Sequence, residues 1–377
     1  MIKRFYDLEK YLEKGKVLII FGARQVGKTS LIKDFLSKTK EKYLFETGEN
    51  FIIQELLSSC NLKRLNEFVE GLDILIIDEA QVVKNIGRAL KLIIDHNPNL
   101  KIITTGSSAF DLGQKTQEPL TGRKKVLDLF PISQKELLED GKTKFELRKN
   151  LEDFLIFGSY PEIILAESKK EKQGKIKEIA ESYLFKDILI LEKIKKSIIL
   201  FNLLKLISFQ LGQEVSVNEL AQKVGLDTKT TDKYLDILEK AFIIKRLYGF
   251  SRNLRNEITK KVKIYFYDLG IRNAIISQFN PLNLRNDVGA LWENFLVMER
   301  FKKIKYEEIY RDLYFWRTYE GNEIDLLEDG EGKIFGYEIK WGEKGKIKKN
   351  TEKIFLETYK NSSIKLINQE NFFEFVF

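Results

Sequence analysis

The stretch FGARQVGKTS, Phe21 to Ser30, constrains the fold most. Gly22 is followed by four residues and then by Gly27, Lys28 and Thr29, the G-x-x-x-x-G-K-[ST] pattern of a phosphate loop. Such a loop needs glycines because the backbone must curl and aim its N–H groups inward. It needs a helix behind it, because a helix N-terminus favours anions. Both flanks comply. Val17 to Phe21 reads VLIIF, a continuous apolar run suited to a buried parallel strand, and Thr29 to Leu36 places apolar residues at helical spacing. Gly22, Ala23, Arg24, Gln25, Val26, Gly27, Lys28 and Thr29 are therefore the candidate phosphate cradle. Lys28 would offer a point charge and Thr29 a hydroxyl for Mg²⁺.

Further apolar runs fit the same sheet. Leu72 to Ile77 ends in Asp78-Glu79, Lys101 to Thr105 ends in polar residues, and Val126 to Phe130 reads as a fourth strand. A helix is expected over Lys84 to Ile94, and strands alternating with helices imply a parallel α/β sheet. A strand ending in Asp78 delivers a carboxylate beside the loop, where ligands of such sheets bind. There Asp78 would hold Mg²⁺ and Glu79 would orient and deprotonate a water. Two acids ending a strand also describe a plain solvated strand end.

The rest of the chain changes character. Leu151 to Leu191 reads as helix, interrupted at Gly158-Ser159-Tyr160-Pro161. From about Ile198 a helix, a turn at Gly225-Leu226-Asp227, a second helix from Thr228, and two β-type runs at Phe242 to Leu247 and Val262 to Tyr267 describe a winged helix-turn-helix. Its second helix would present Lys229, Thr230, Lys233 and Tyr234, and residues 245–263 carry seven basic side chains against one acidic, Glu257. That pattern suits DNA phosphates, and equally a solvated face. After Asp287 come a helix, Leu291 to Phe301, a strand, Leu313 to Thr318, and two alternating strands, Glu323 to Leu327 and Lys333 to Lys340, joined by an Asp329-Gly330-Glu331-Gly332 turn. Alternation puts Glu323 and Asp325 on one face, and Glu338 and Lys340 on one face, so that acids and a lysine converge on a patch able to attract Mg²⁺. E-I-D-L and E-I-K also describe any half-exposed strand. The C-terminal NFFEFVF reads as a last strand. His96, the single histidine, and Cys60, the single cysteine, read as structural.

Composition narrows the class. Hydrophobic residues at 43% and charged residues at 32% indicate a globular chain, and one cysteine excludes an internal disulfide. The net charge of +8 permits an acidic partner without requiring one. Met1 to Lys16 is amphipathic and charged, unlike a secretory leader, and the apolar runs are too short to span a bilayer, so a cytoplasmic location and no membrane partner are expected.

The phosphate loop, the strand ending Asp78-Glu79 and the strand ending IITTGSS resemble the AAA+ ATPases. That resemblance implies ATP and Mg²⁺ as ligands, with Thr105, or secondarily Ser107, as a polar sensor near the γ-phosphate. PLTGRKKVLDLFPIS and FGSYPEI resemble a prokaryotic branch of predicted AAA+ ATPases. By that resemblance Arg123 is an arginine finger acting on a neighbouring subunit, which implies a homo-oligomer. Asp325 followed by Glu338-Ile339-Lys340, with Glu293 on the preceding helix, resembles the PD-(D/E)xK nucleases, although Glu323-Ile324 stands where those carry proline. The resemblance implies Asp325 and Glu338 as metal ligands, Glu293 as an auxiliary ligand and Lys340 as catalytic. The expected order is an AAA+-like ATPase domain at 1–160, a helical connector at 161–197, a winged helix at 198–284 and a restriction-endonuclease-like α/β domain at 285–377. The implied activity is Mg-dependent ATP hydrolysis coupled to DNA binding or processing. The competing reading is a nucleotide-dependent regulator that binds DNA or protein, with an inert nuclease-like domain.

Overall fold

The computed structural model describes residues 2–107, 120–182, 197–251, 261–342 and 345–377. It contains two compact units, one made of residues 4–130 with 240–242 and the other of nearly all the remainder. The chain thus leaves its first unit at residue 130 rather than 160. Leu151–Phe157 is the reason: it packs on Leu269–Ile275 of the second unit, and the buried Asn273 amide donates to the carbonyls of Leu155 and Ile156 at 3.0 and 2.8 Å.

In the first unit the order is β1 (Val17–Phe21), α1 (Lys28–Leu36), β2 (Tyr43–Thr47), α2 (Phe51–Ser58), α3 (Leu62–Val69), β3 (Ile74–Asp78), α4 (Ile86–His96), β4 (Lys101–Gly106) and β5 (Lys124–Asp128). The five strands are parallel, in spatial order β2-β3-β4-β1-β5. Every residue of β1 and β3 is buried, as expected for strands covered on both faces. β4 runs between β1 and β3, so the C-terminal ends of all three meet at one edge. β2 lies at the border of the sheet, and its half-exposed sequence YLFET carries no apolar run to announce it.

In the second unit, helices α5 (Lys169–Ser182) and α6 (Ser197–Phe209) precede β6 (Glu214–Ser216), α7 (Val217–Val224), α8 (Thr228–Lys240), β7 (Ile244–Gly249) and β8 (Lys261–Phe266). Gly225 ends α7 in the left-handed region at φ 69°, and the Asp227 carboxylate accepts the Thr230 N–H at 2.8 Å to start α8. Then follow α9 (Leu269–Ile275), α10 (Val288–Tyr306), β9 (Asp312–Arg317), β10 (Glu323–Gly330), β11 (Lys333–Ile339), α11 (Lys349–Thr358), β12 (Ser362–Ile367) and α12 (Phe372–Val376). The β10–β11 turn has positive φ at Glu331 and Gly332, the signature of a two-residue hairpin loop.

One seven-stranded sheet, β12-β11-β10-β9-β7-β8-β6, runs through this unit. The β7–β8 ribbon joins the C-terminal strands because β7 pairs in parallel with β9, Tyr248 opposite Tyr314. The segments expected as separate domains at 198–284 and 285–377 thus share a sheet. The expected last strand, NFFEFVF, is instead the helix α12. Phe372, Phe373, Phe375 and Val376 are buried and Glu374 is exposed, a pattern that a two-residue alternation cannot satisfy. Among the described residues no helix is long and apolar enough to cross a membrane.

Candidate functional site

The loop between β1 and α1 is built for an anion. Gly22 admits no side chain, since a Cβ there would lie 2.3 Å from the Leu129 carbonyl oxygen. Gly27 opens α1 at φ 97°, a left-handed conformation that glycine adopts without steric penalty. Arg4 staples the loop from outside, donating to the carbonyls of Val26 and, at 2.7 Å, of Phe130. No sequence motif marks Arg4. Lys28 is 5% exposed and folded onto its own loop, with Nζ donating to the Gly22 and Ala23 carbonyls at 2.9 and 3.0 Å and lying 4.0 Å from Glu79 Oε1.

Asp78 ends β3 at the same edge. The Thr29 hydroxyl donates to its Oδ2 at 2.8 Å, and the Thr105 hydroxyl donates to its Oδ1. Thr105 in turn accepts the Glu79 backbone N–H at 2.9 Å. One side chain at the end of β4 thereby meets both the Asp78 carboxylate and the Glu79 backbone. Glu79 has φ 51°, in the left-handed region, where a non-glycine residue is strained by about 1 kcal/mol or more. Gln81, also unannounced, donates to Glu79 Oε2 at 2.5 Å and to the Ser107 hydroxyl at 3.1 Å. The donor set suits Mg²⁺: a hydroxyl and a carboxylate, both hard oxygens, already adjacent at the rim of the loop. Arg123 does not join this edge. It precedes β5, paired with Asp95, and its carbonyl accepts from Val17, the first residue of β1. That puts it at the opposite end of a five-residue strand, roughly 13 Å away at about 3.3 Å per residue.

A second cluster lies in the other unit. Glu293 (α10), Glu323 and Asp325 (β10) surround Lys263 of β8, and Asp325 and Glu338 (β11) flank Lys340. Lys263 is 1% exposed, and its Nζ lies 2.6 Å from Glu323, 3.1 Å from Glu293 and 3.7 Å from Asp325. Tyr265 donates to Glu293 Oε1 at 2.7 Å, and the Ile339 N–H donates to Asp325 Oδ2 at 2.8 Å. Lys340 lies 2.7 Å from Glu338 and 3.7 Å from Asp325.

Burial, reinforced by the Asp325 charge, pushes the Glu293 carboxyl up to about 7 although Lys263 opposes this. Burial and Asp325 also raise Glu338. Burial works against the charge on Lys263, but Tyr265 and the three carboxylates hold it well above the usual lysine range. Against the penalty of burial, Lys263 and Arg317 keep Glu323 below its ordinary value.

The expectation that Glu293, Asp325 and Glu338 share a metal ion meets a cation already in place. Among the described residues no group of three or more His, Cys, Asp or Glu side chains is arranged to hold a metal. A divalent ion about 4 Å from the Lys263 ammonium would be repelled by roughly 8 kcal/mol at an effective dielectric near 20. The side chains as placed do not fit the metal. No sequence motif marks Lys263, since a lysine alternating with Val262 and Ile264 reads as a solvated position.

The basic strip at 245–263 is likewise engaged. Arg246 is held by Asp232, Asp236 and Glu239 of α8, Lys245 by Glu239, and Lys261 by Glu214. Its remaining basic residues, Arg252, Arg255 and Lys260, lie outside the described residues. On α8, Lys229 and Lys233 are exposed and Thr230 and Tyr234 half-buried.

Loop, acid-ended strand and parallel sheet describe an ATPase-like nucleotide-binding protein, and one stretch of the chain matches a family of that kind. Residues 14–138 match the family described as AAA domain. Residues 148–283 and 288–373 match two families described as domains of unknown function, DUF8612 and DUF4143. An uncharacterized protein of Mycobacterium tuberculosis is 26% identical over 338 residues, covering 88% of this chain and 72% of its own. One from Methanocaldococcus jannaschii is 27% identical over 354 residues, covering 87% and 75%. Among solved structures, a signal transduction ATPase with numerous domains from Pyrococcus horikoshii aligns with TM-score 0.28 and 14% identity over 76% of this chain and 43% of that one. RuvB of Thermotoga maritima aligns with 0.30 and 16% over 61% and 82%. At such scores no functional parallel follows.

Proposed function

We propose that the first unit hydrolyses ATP with Mg²⁺. The observation that carries this reading is the bonded series Thr29–Asp78–Thr105–Glu79 at the mouth of a phosphate loop. The backbone N–H groups of 22–29 receive the phosphates, and Lys28 leaves the Gly22 and Ala23 carbonyls to meet them. Thr29 and Asp78 would hold Mg²⁺, which when bound would neutralise charge on the phosphates. Glu79 orients a water and takes its proton, while Thr105 keeps both acids in register. Arg123, distant from its own site, acts as a finger on a neighbouring copy. Lys28→Ala should abolish hydrolysis. Full ATPase activity in that variant would sink the assignment.

We further propose that 198–284 is a winged helix and 285–377 a nuclease-like fold, and that hydrolysis is coupled to DNA bound through α8. One observation favours the alternative, a nucleotide-dependent regulator with an inert nuclease-like part: Lys263 fills the acidic cluster. Plasmid DNA incubated with Mg²⁺ or Mn²⁺, with and without ATP, separates the two. Cleavage supports processing, and salt-sensitive binding without cleavage supports the regulator. Absence of DNA retention at low salt contradicts DNA coupling and leaves a regulator with protein partners only.

A further inference from the structure

We propose that the Lys263 ammonium is a built-in substitute for a divalent cation, holding the acidic cluster of the second unit closed to metal and tying β8 to β10 and α10. The inference rests on the regulator reading and gives it a physical cause. An ammonium has three donors and no acceptor, and Lys263 faces carboxylates from two elements, Glu293 of α10 and Glu323 and Asp325 of β10. It enters from the ribbon strand β8, whereas the acids come from the C-terminal segment. The cluster is thus neutralised by residues far apart in sequence, which no local motif could display.

Two observations bear on this reading: one fixes an acid toward the ammonium, and the other leaves an acid of the same cluster with an unsatisfied oxygen. Tyr265, two residues along the same face of β8, donates to Glu293 Oε1, the oxygen that Lys263 also meets, and so fixes that carboxylate toward the ammonium. Glu338 is only 8% exposed, and its Oε2 is buried without a hydrogen-bond partner while Oε1 meets Lys340. That leaves one carboxylate oxygen available to a harder, more highly charged cation once the lysine is gone.

The test is Mn²⁺ titration of the full chain without nucleotide, followed by electron paramagnetic resonance, in the wild type, Asp325→Asn, Lys263→Ala and Lys263→Met. The wild type should show no Mn²⁺ site sensitive to Asp325→Asn. Lys263→Ala should gain one, at least tenfold tighter than any wild-type binding there, and adding Asp325→Asn should remove it. Lys263→Met, which keeps the stem, guards against a cavity effect. A wild-type Mn²⁺ site lost in Asp325→Asn overturns both the substitution and the inert reading. Folded Lys263 variants that gain no site overturn the substitution alone and leave the regulator reading standing. If neither variant folds, that loss supports the tie of β8 to β10 and α10, while a wild-type Mn²⁺ site lost in Asp325→Asn still overturns the substitution.

Discussion

The molecule holds two sites in which a lysine meets carboxylates beside β-strands, and they differ in what the lysine touches. Lys28 donates to the Gly22 and Ala23 carbonyls and lies 4.0 Å from Glu79 Oε1. Those neutral partners are easily exchanged for a phosphate. Lys263 is enclosed by three carboxylates and nearly inaccessible. The first lysine is poised for a ligand, and the second has become part of the structure. Motif spelling does not distinguish them, because the difference lies in the charge of the partners.

Substitutions can break or sharpen that contrast. Lys28→Ala should bring ATP turnover to background, a loss of at least about a hundredfold, in a steady-state phosphate-release assay. Glu79→Gln should lower turnover by about 10²–10⁴ while ATP still binds, which isothermal titration would report. Lys263→Met should leave ATP turnover within twofold or so but destabilise the second unit by about 3–5 kcal/mol in denaturant unfolding, because buried carboxylates lose their counter-charge. Equal stability would mean that Lys263 is a bystander. Lys229→Ala with Lys233→Ala should weaken DNA retention and flatten its salt dependence by about one unit of slope per lost phosphate contact.

The smallest effect concerns pH. The Glu293 carboxyl, raised to about 7, binds its proton more tightly folded than unfolded. Its contribution to stability is present below the ordinary glutamate range and fades as pH rises through 7. The slope should not exceed about 1.4 kcal/mol per pH unit, and Glu293→Gln should remove it. Lys263, Tyr265, Asp325, Glu323, Glu338 and Lys340 face the same cluster, so the wild-type curve will be broader than that of one group.

Much of the first unit was legible. VLIIF and the runs before Asp78 and Thr105 announce buried strands without ambiguity, and the glycine spacing places the loop between them. β2 was not legible, since an edge strand need not be apolar. The α12 run was misread because the spacing of four aromatic and aliphatic residues around one glutamate decides between helix and strand only when burial is known. The second site was half legible. Glu293, Asp325, Glu338 and Lys340 lie in one cluster, but the parallel pairing of β7 with β9 that carries Lys263 into it has no local signature.

The central claim is that only the first of the two sites accepts a divalent cation. Mn²⁺ binding to the full chain, measured by electron paramagnetic resonance with and without a non-hydrolysable ATP analogue, tests it most directly. The account predicts an ion that appears with the nucleotide, disappears in Asp78→Asn and is unchanged in Asp325→Asn. An ion that binds without nucleotide and is lost in Asp325→Asn, or no ion even with nucleotide, would contradict it.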